Sequence, residues 1–320
     1  MDREACKVSV LCTAYNHEKY IRSALDGFVG QKTNFPFEVL INDDASTDAT
    51  ADIIREYQNK YPDIIVPFYQ PKNLYSQHIS IMHTVLVPQA HGKYLAYCEG
   101  DDFWTDPDKL QLQVDFMDTH PDYSACVHDT LWHNCDRKQE DWLPFGPRKD
   151  QDFLFEDVIK GMPYQTSSLL ARRELILRNP DFYLRCVANG FGDYPQAIWL
   201  SMNGKIRFMG RVMSTYRYQS NASSWSAQTY QDREKLLSHQ EAIIELLQAV
   251  KSYVSAERAA LADQVILQKQ FEAAEIKGEY LQMKRPPFEA LYAKLSAAHR
   301  FKIFVKQHFP GLYRTYQRSK

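Results

Sequence analysis

The sequence is short of the features that mark secreted and membrane-spanning proteins. Its six cysteines are scattered through 320 residues, with no CxxC pair and no dense framework, which suits a reducing compartment. No segment approaches the roughly 20 apolar residues that a membrane-spanning helix needs. The first residues, MDREACK, carry acids and precede only a short apolar run, unlike a secretory signal. We therefore expect a cytoplasmic protein, peripheral on the inner face of the cell membrane.

Glycine is absent from the turn that follows the first apolar run. That turn reads TAYNHEKY. A metal-dependent nucleotidyltransferase, which also uses an α/β sheet and carboxylates, would want a loop rich in Gly and Lys/Arg there to hold a triphosphate. This class of enzyme therefore stays an alternative that the sequence disfavours.

Basic charge is scarce in the body of the chain and concentrated at its end. The formal net charge is -2, but residues 284–320 hold nine Lys/Arg against one acid, Glu289, so that the preceding 283 residues carry -10. An acidic body argues against a nucleic-acid groove across the main domain. The basic tail predicts an anionic surface as its partner.

The first hundred residues alternate between apolar runs of strand length and helical patterns. Such alternation predicts an α/β fold with a largely parallel sheet covered on both faces. Residues 231–283 are rich in Glu, Gln, Ala and Leu without proline, which predicts a helical region that ends near Pro286 and Pro287. The four predicted strands are KVSVLCTAY, FEVLIND, IIVPFYQ and KYLAYCE.

Two pairs of adjacent carboxylates stand directly after predicted strands. They are Asp43 with Asp44, and Asp101 with Asp102. Ligands of open α/β sheets bind beyond the carboxyl ends of the strands, so one site could collect both pairs. Mg²⁺ and Mn²⁺ favour carboxylate oxygens and bridge them to substrate phosphates, which would relieve the repulsion within each pair. The alternative is that the pairs are helix caps or solvated turns. Ser46, Thr47 and Asp48, which follow the first pair, are candidates to cap the next predicted helix.

Four ordered motifs stand out along the chain. They are VSVLCTAYNHEKYIRSALDGFVGQ, FEVLINDDASTDAT, GKYLAYCEGDDFWTDPDKLQLQVDFM and GFGDYPQAIWL. These motifs resemble those of the family 2 glycosyltransferases of GT-A fold, the bacterial type that builds capsular and other surface polysaccharides. The resemblance covers residues 7–226 and implies a Rossmann-like, mostly parallel central sheet.

The resemblance implies roles for residues on the donor side. Thr13 and Tyr15 would hold the nucleotide base of a nucleotide sugar, Tyr15 by stacking, and Asp44 would contact the base or its ribose. Asp101 would lie on the ribose side. Asp102 would be the carboxylate that meets a Mn²⁺ or Mg²⁺ ion bridging the donor diphosphate.

On the acceptor side, the resemblance implies that Asp193 is the general base that removes the proton of the acceptor hydroxyl. Gln219 stands where the family often has a His, as a possible contact to the metal or diphosphate, and Gln is a poorer ligand. Trp225 is a candidate substrate contact. Many relatives also have Asn-x-Gly after the third strand, where this chain reads NLYSQ.

These features predict three segments. Residues 1–226 would form the catalytic domain, with a nucleotide-sugar-binding half in 1–104 and an acceptor-binding half in 105–226. A helical region, 227–283, is a candidate for homodimer contacts. The tail, 284–320, alternates apolar and cationic residues, which predicts short helices with an apolar stripe beside a cationic one. Such helices can lie on an anionic bilayer, although the tail could also pack against the catalytic domain or a second subunit.

The leading hypothesis is an inverting, metal-dependent hexosyl- or N-acetylhexosaminyltransferase. It would move a sugar from a nucleotide sugar, with UDP-sugars favoured, to a polyprenyl-diphosphate-linked saccharide. An alternative of a different class is a catalytically inactive scaffold at the membrane. A scaffold does not need clustered acids, so the carboxylates disfavour this alternative.

Overall fold

The computed structural model describes residues 6–135, 140–188, 190–218 and 232–309. The chain divides into two compact units, Met1–Ser224 and Trp225–Lys320, and each is described by itself.

The first unit begins with four parallel strands. They are β1 (Val8–Ala14), β2 (Phe37–Asp43), β3 (Ile65–Tyr69) and β4 (Tyr94–Tyr97), in the spatial order β3-β2-β1-β4. Pro67 lies in β3 at the edge of the sheet, where a residue without an N–H is tolerated. The carboxyl ends of β1, β2 and β4 therefore meet at one edge, as predicted.

The second half of the sheet has mixed direction. The order continues β4-β8-β6-β9-β5, with β7 also paired to β9. Strand β8 is antiparallel to β4 and β6, whereas β6 and β9 run parallel as a long ribbon. These strands are β5 (Phe103–Trp104), β6 (Tyr123–Asn134), β7 (Gln151–Phe153), β8 (Leu170–Arg172) and β9 (Lys205–Tyr218).

Helices flank this sheet, and α1 illustrates why they form. Ile21, Leu25 and Phe28 recur at helical spacing, and all three are buried in the core. Phe28 packs edge-on against Trp104 with ring centroids 4.8 Å apart. The helices of the first unit are α1 (Ile21–Val29), α2 (Thr50–Lys60), α3 (Val87–Gln89, after a π turn at Met82–Leu86), α4 (Lys109–Thr119), α5 (Phe155–Val158), α6 (Arg173–Ile176), α7 (Asp181–Ala188) and α8 (Asp193–Met202), with 3-10 turns at Tyr75–Gln77 and Thr166–Ser168.

The second unit is helical, as predicted for this part of the chain. Helices α9 (Arg233–Val250) and α10 (Ala256–Lys277) are joined by a 3-10 turn, Lys251–Tyr253. Lys277, at the end of α10, pairs with Glu241 in the first half of α9 at 3.2 Å, so the two helices form an antiparallel hairpin.

Two further helices, α11 (Glu289–Lys294) and α12 (Ala297–His308), follow a 3-10 turn at Gln282–Lys284. Met283 and Ile303 are buried in a small core. That core also contains Phe271 and Ala274 of α10, with Tyr280, Phe288, Leu291, Tyr292 and Leu295 packed against it.

The apolar residues predicted to form one stripe along the tail therefore divide into two groups. Phe288, Leu291, Tyr292, Leu295 and Ile303 pack within the second unit, whereas other large apolar residues face solvent. The exposed group is Phe301, Phe304 and Phe309, with relative accessibilities of 66%, 44% and 49%. Within the described ranges, no helix combines the length and the apolar character needed to cross a bilayer.

Candidate active site

The loops that follow β1 and β2 are held together by polar side chains. Asn16, at φ 54°, donates its N–H to Ser46 Oγ over 2.9 Å, and Thr47 donates its N–H to Asn16 Oδ1 over 2.8 Å. Ser46 and Thr47 were candidates for capping α2, but they connect these loops instead. Asp48 does accept the N–H of Thr50, the first residue of α2, at 2.9 Å.

Asp44 joins a third loop to this edge of the sheet. Its N–H donates to Ala14 O over 2.9 Å, and its buried carboxylate accepts the N–H groups of Leu74 and Tyr75 at 2.7 and 3.0 Å. These two amides belong to the NLYSQ segment after β3. Asp44 therefore holds that loop beside the ends of β1 and β2.

Thr13 and Tyr15 lie on either side of the end of β1. The carbonyl of Thr13 accepts the N–H of Gly100 at 2.9 Å, which ties β1 to the acidic segment after β4. The Tyr15 side chain is 37% exposed, so its ring is accessible for stacking.

Gly100 lies where the loop after β1 and the start of α1 approach the acidic segment most closely. A Cβ at this position would lie 2.8 Å from Ile21 Cδ1 and 2.9 Å from His17 Nδ1. No residue with a side chain fits without displacing these neighbours. The spacing of the acids in Glu-Gly-Asp-Asp therefore depends on close contact with β1 and α1.

Three carboxylates crowd this segment. Asp102 is buried, and burial, with Asp101 and Glu99 nearby, raises the pKa of its carboxyl well above the usual range. Glu99 is exposed to solvent, although protein atoms crowd its carboxyl group. Burial, with Asp101 and Asp193 nearby, raises the pKa of Glu99 to about 8. The segment therefore has a surplus of negative charge.

Arg217, near the end of β9, is a basic residue in contact with this cluster. Its N–H donates to Asp102 Oδ1 over 2.9 Å, and its Nη1 donates to the carbonyl of Asp101 over 2.6 Å. The guanidinium lies 4.3 Å from the ring centroid of Phe103 and 5.1 Å from that of Tyr20. Stacking between aromatic rings fixes the orientation of the positive charge.

The donor set suits a hard divalent cation that is shared with a substrate. Within the described ranges, no three His, Cys, Asp or Glu side chains are arranged to enclose a metal on their own. Mg²⁺ and Mn²⁺ are commonly held by one or two carboxylates together with substrate phosphates, so Asp101 and Asp102 meet that requirement. Burial and the nearby acids raise the pKa of Asp102 although Arg217 lowers it, so a bound cation would stabilise the ionised carboxylate.

Asp193 stands at the first turn of α8, close enough to Glu99 for the two charges to interact. Solvent reaches Asp193, yet enclosure by protein atoms raises the pKa of its carboxyl, while a hydrogen bond with the Thr166 side chain lowers it. Gln196, one turn further along α8, donates to Tyr97 Oη over 2.8 Å. Since Tyr97 ends β4, this bond fixes the start of α8 beside the acidic segment.

The structure thus brings together Asp101, Asp102 and Asp193, with Thr13 and Asp44 at the same edge of the sheet. Gln219 and Trp225 lie outside the described residues.

Sequence reasoning missed Glu99 and Arg217. The signal for Glu99 was present, because it is the third acid within four residues. No sequence signal indicated Arg217, because it lies 115 residues from Asp102 in the chain.

Comparisons with known proteins agree with this arrangement. The family model described as "Glycosyl transferase family 2" matches residues 9–172, from β1 to the end of β8. The uncharacterized protein Rv1520 of Mycobacterium tuberculosis is 37% identical over 231 residues, which cover 71% of this chain and 63% of that protein. This chain thus spans less than two thirds of the length of its mycobacterial relative.

Two characterised proteins are more distant. The Escherichia coli protein WfaP, named UDP-Glc:alpha-D-GlcNAc-diphosphoundecaprenol beta-1,3-glucosyltransferase, is 31% identical over 112 residues, or 35% of this chain and 41% of WfaP. The crystal structure of Staphylococcus aureus TarS 1-349 in complex with UDP-GlcNAc superposes with a TM-score of 0.62. That match has 18% identity and covers 87% of this chain and 76% of TarS 1-349, so it bears on the fold alone.

Proposed function

The chain belongs to glycosyltransferase family 2 and has the GT-A fold, and from that premise we propose that it is an inverting, metal-dependent transferase. It would move a hexose or an N-acetylhexosamine from a nucleotide sugar to a saccharide acceptor. One observation carries this proposal most directly. Asp193 lies close enough to Glu99 for the two charges to interact, so a candidate base faces the acidic segment after β4.

The donor would occupy the edge formed by β1, β2 and β4. Tyr15 offers an accessible ring for the base, and Thr13 and Asp44 would flank the base and ribose. We favour a UDP-sugar because the name of WfaP specifies UDP-Glc and the TarS complex contains UDP-GlcNAc. Asp101 would lie on the ribose side.

Asp102, with Asp101, would hold Mn²⁺ or Mg²⁺ against the donor diphosphate. When bound, such an ion offsets the negative charge that develops on a departing diphosphate. The backbone N–H of Arg217 orients Asp102, and the guanidinium of the same residue adds a positive charge near that carboxylate.

Asp193 would accept the proton of the acceptor hydroxyl as that oxygen attacks the anomeric carbon and the bond to the diphosphate breaks. A single displacement from the opposite face inverts the configuration. Thr166 orients the carboxylate and opposes the effect of burial on its pKa. A carboxylate with a raised pKa is a stronger base than an ordinary surface carboxylate, which suits proton removal from a hydroxyl.

We further propose that the acceptor is a polyprenyl-diphosphate-linked saccharide and that the protein works as a peripheral protein on the inner membrane face. WfaP, whose name specifies a GlcNAc-diphosphoundecaprenol acceptor, supports a lipid-linked acceptor. Phe301, Phe304 and Phe309 are exposed, and Arg300 and Lys302 stand beside them in sequence. Aromatic side chains next to basic ones suit the headgroup layer of an anionic bilayer. The helical second unit would also serve any homodimer contact.

A donor panel tests the proposed activity. The protein is incubated with Mn²⁺ and a series of nucleotide sugars, and release of the free nucleoside diphosphate by slow hydrolysis is measured. We expect one donor to respond and chelation by EDTA to stop the reaction. Release from none of the donors, or release that is insensitive to EDTA, would contradict the proposal.

A further inference from the structure

Four aromatic residues gather at the carboxyl ends of β6 and β9, outside the residues assigned so far. Trp132 and Tyr218 are stacked, with ring centroids 5.6 Å apart and planes 17° from parallel. Tyr216 lies 5.1 Å from Trp132, and Trp142 lies 5.8 Å from it. All four side chains are half-buried. We call this set, Trp132, Trp142, Tyr216 and Tyr218, the aromatic cluster.

The backbone holds the aromatic cluster in place. Trp132 and Trp142 exchange two hydrogen bonds, with N···O distances of 2.8 and 3.0 Å, so the loop after β6 pairs with the strand itself. Tyr216 and Tyr218 are fixed by the parallel register of β9 on β6, in which Trp132 pairs with Tyr216. The rings are therefore arranged before any ligand arrives, which limits the entropy lost on binding.

A short chain of contacts relates the aromatic cluster to Asp193. Thr130 and Ser214 form the pair two residues before Trp132 and Tyr216, on the same face of the ribbon. Their hydroxyl oxygens share a hydrogen bond of 3.0 Å. Ser214 also contacts Ser167 Oγ at 3.3 Å. Ser167 follows Thr166, whose side chain hydrogen-bonds Asp193.

Two residues along a strand span about 7 Å, so the aromatic cluster lies about that far along the ribbon from Thr130 and Ser214. Since alternate residues share a face, Trp132 and Tyr216 lie on the face that carries Ser167. The aromatic cluster is therefore linked to Asp193 through Ser214, Ser167 and Thr166. Arg217, which lies between Tyr216 and Tyr218 in β9, points to the opposite face and toward Asp101 and Asp102.

The surroundings combine apolar rings with polar groups. His133 Nδ1 and Asp141 Oδ1 lie 2.7 Å apart, and both side chains are partly exposed next to Trp132 and Trp142 in sequence. The Trp132 indole N–H is enclosed and has no hydrogen-bond acceptor within the described residues.

We propose that the aromatic cluster is a saccharide subsite that binds a part of the acceptor away from the hydroxyl that reacts. The inference rests on the proposed function, since it takes Asp193 as the point of transfer. Broad aromatic faces with a few polar groups at the rim suit a pyranose ring, which has apolar C–H faces and hydroxyls around its edge. The cluster would favour an acceptor that is already an oligosaccharide.

Saturation-transfer NMR with soluble trisaccharides tests the subsite without requiring turnover. The probes are cellotriose, maltotriose and chitotriose, each at millimolar concentration with the full-length protein. We expect transfer to at least one probe in the parent, its loss in Trp142→Ala, and its recovery in Trp142→Phe, which restores an aromatic ring. Phe145→Ala is the matched control, since Phe145 is an exposed aromatic of the same loop outside the cluster.

Hydrolysis of the donor in the absence of acceptor provides the second readout. If Trp142→Ala hydrolyses the donor within about twofold of the parent, the loss of saccharide binding belongs to the subsite and not to misfolding. A parent that binds none of the probes, or a Phe145→Ala variant that loses binding equally, overturns the subsite. A parent that binds a probe but hydrolyses no donor overturns the proposed function and leaves the saccharide site standing.

Discussion

The two halves of the first unit build the site in different ways. On the donor side, partners are about 30 residues apart: Asn16 meets Ser46, and Asp44 meets the loop at Leu74. On the acceptor side, Arg217 reaches Asp102 across 115 residues. The donor half repeats one strand-and-helix unit, and the acceptor half continues the same sheet with strands of mixed direction. Changes in the two halves should therefore separate donor binding from transfer.

The largest effect should come from Asp102→Asn. The change removes charge at the proposed cation contact while it preserves shape, so we expect the fold to persist and transfer to fall by about 10³-fold or more. Mn²⁺-dependent turnover is the measurement. Asp122→Asn is the control, because Asp122 is an exposed acid whose partner is Lys205. A variant that binds Mn²⁺ and turns over like the parent would refute the metal assignment.

Arg217→Gln asks whether the acceptor half contributes to donor binding. The backbone N–H to Asp102 remains, but the guanidinium that lowers the pKa of Asp102 is lost. We expect the donor to bind about tenfold more weakly in the presence of Mn²⁺, since a hydrogen bond to a charged group is worth about 1.5 kcal/mol or more. Arg217→Lys should recover part of the affinity. Parent-like titrations for Arg217→Gln would mean that the two halves are independent.

The pH dependence of transfer reports on Asp193. Burial raises its pKa, and the carboxylate must be ionised to act as a base. Activity should therefore fall on acidification through a midpoint above the usual range of an aspartate. Thr166→Val removes the hydrogen bond that lowers this pKa, so the acidic limb should move upward by about one pH unit. An unmoved limb would show that another group controls the profile.

The smallest effect on catalysis is expected in the second unit. Phe301→Ser with Phe304→Ser removes exposed rings and should leave both stability and donor hydrolysis within about twofold of the parent. Sedimentation with anionic liposomes at low salt should fall about tenfold or more, given about 2 kcal/mol for each buried ring. Leu291→Ser is the contrasting variant, because Leu291 packs on the small core and its loss should lower thermal stability. A full-length protein that ignores such liposomes would disprove the membrane proposal.

The sequence predicted the regular parts of this molecule well. Apolar periodicity located β1 to β4 and the helices α1 and α2, and the parallel plan implied that Asp44 and Asp102 would share one edge. It could not predict the parallel pairing of β6 with β9, because that pairing depends on contacts far apart in the chain.

Tertiary packing also reassigned local signals. The residue types of Ser46 and Thr47 predict helix caps, but both residues form hydrogen bonds with Asn16 instead. The pattern of the tail predicts one apolar stripe. In the structure, Ile303 is buried in a core that includes Phe271, whereas Phe301 is exposed. In each case the partner that decides the outcome lies too far away in the sequence for periodicity to show it.

Asp193→Asn provides the most direct test of the central claim, that the base on α8 is separate in function from the acids after β4. The donor that responds in the panel is titrated with Mn²⁺ present, beside the rate of transfer to an acceptor. We predict a dissociation constant within about twofold of the parent and a transfer rate lower by about 10²-fold or more, the scale of a lost general base. Equal losses in donor binding and transfer would contradict the account.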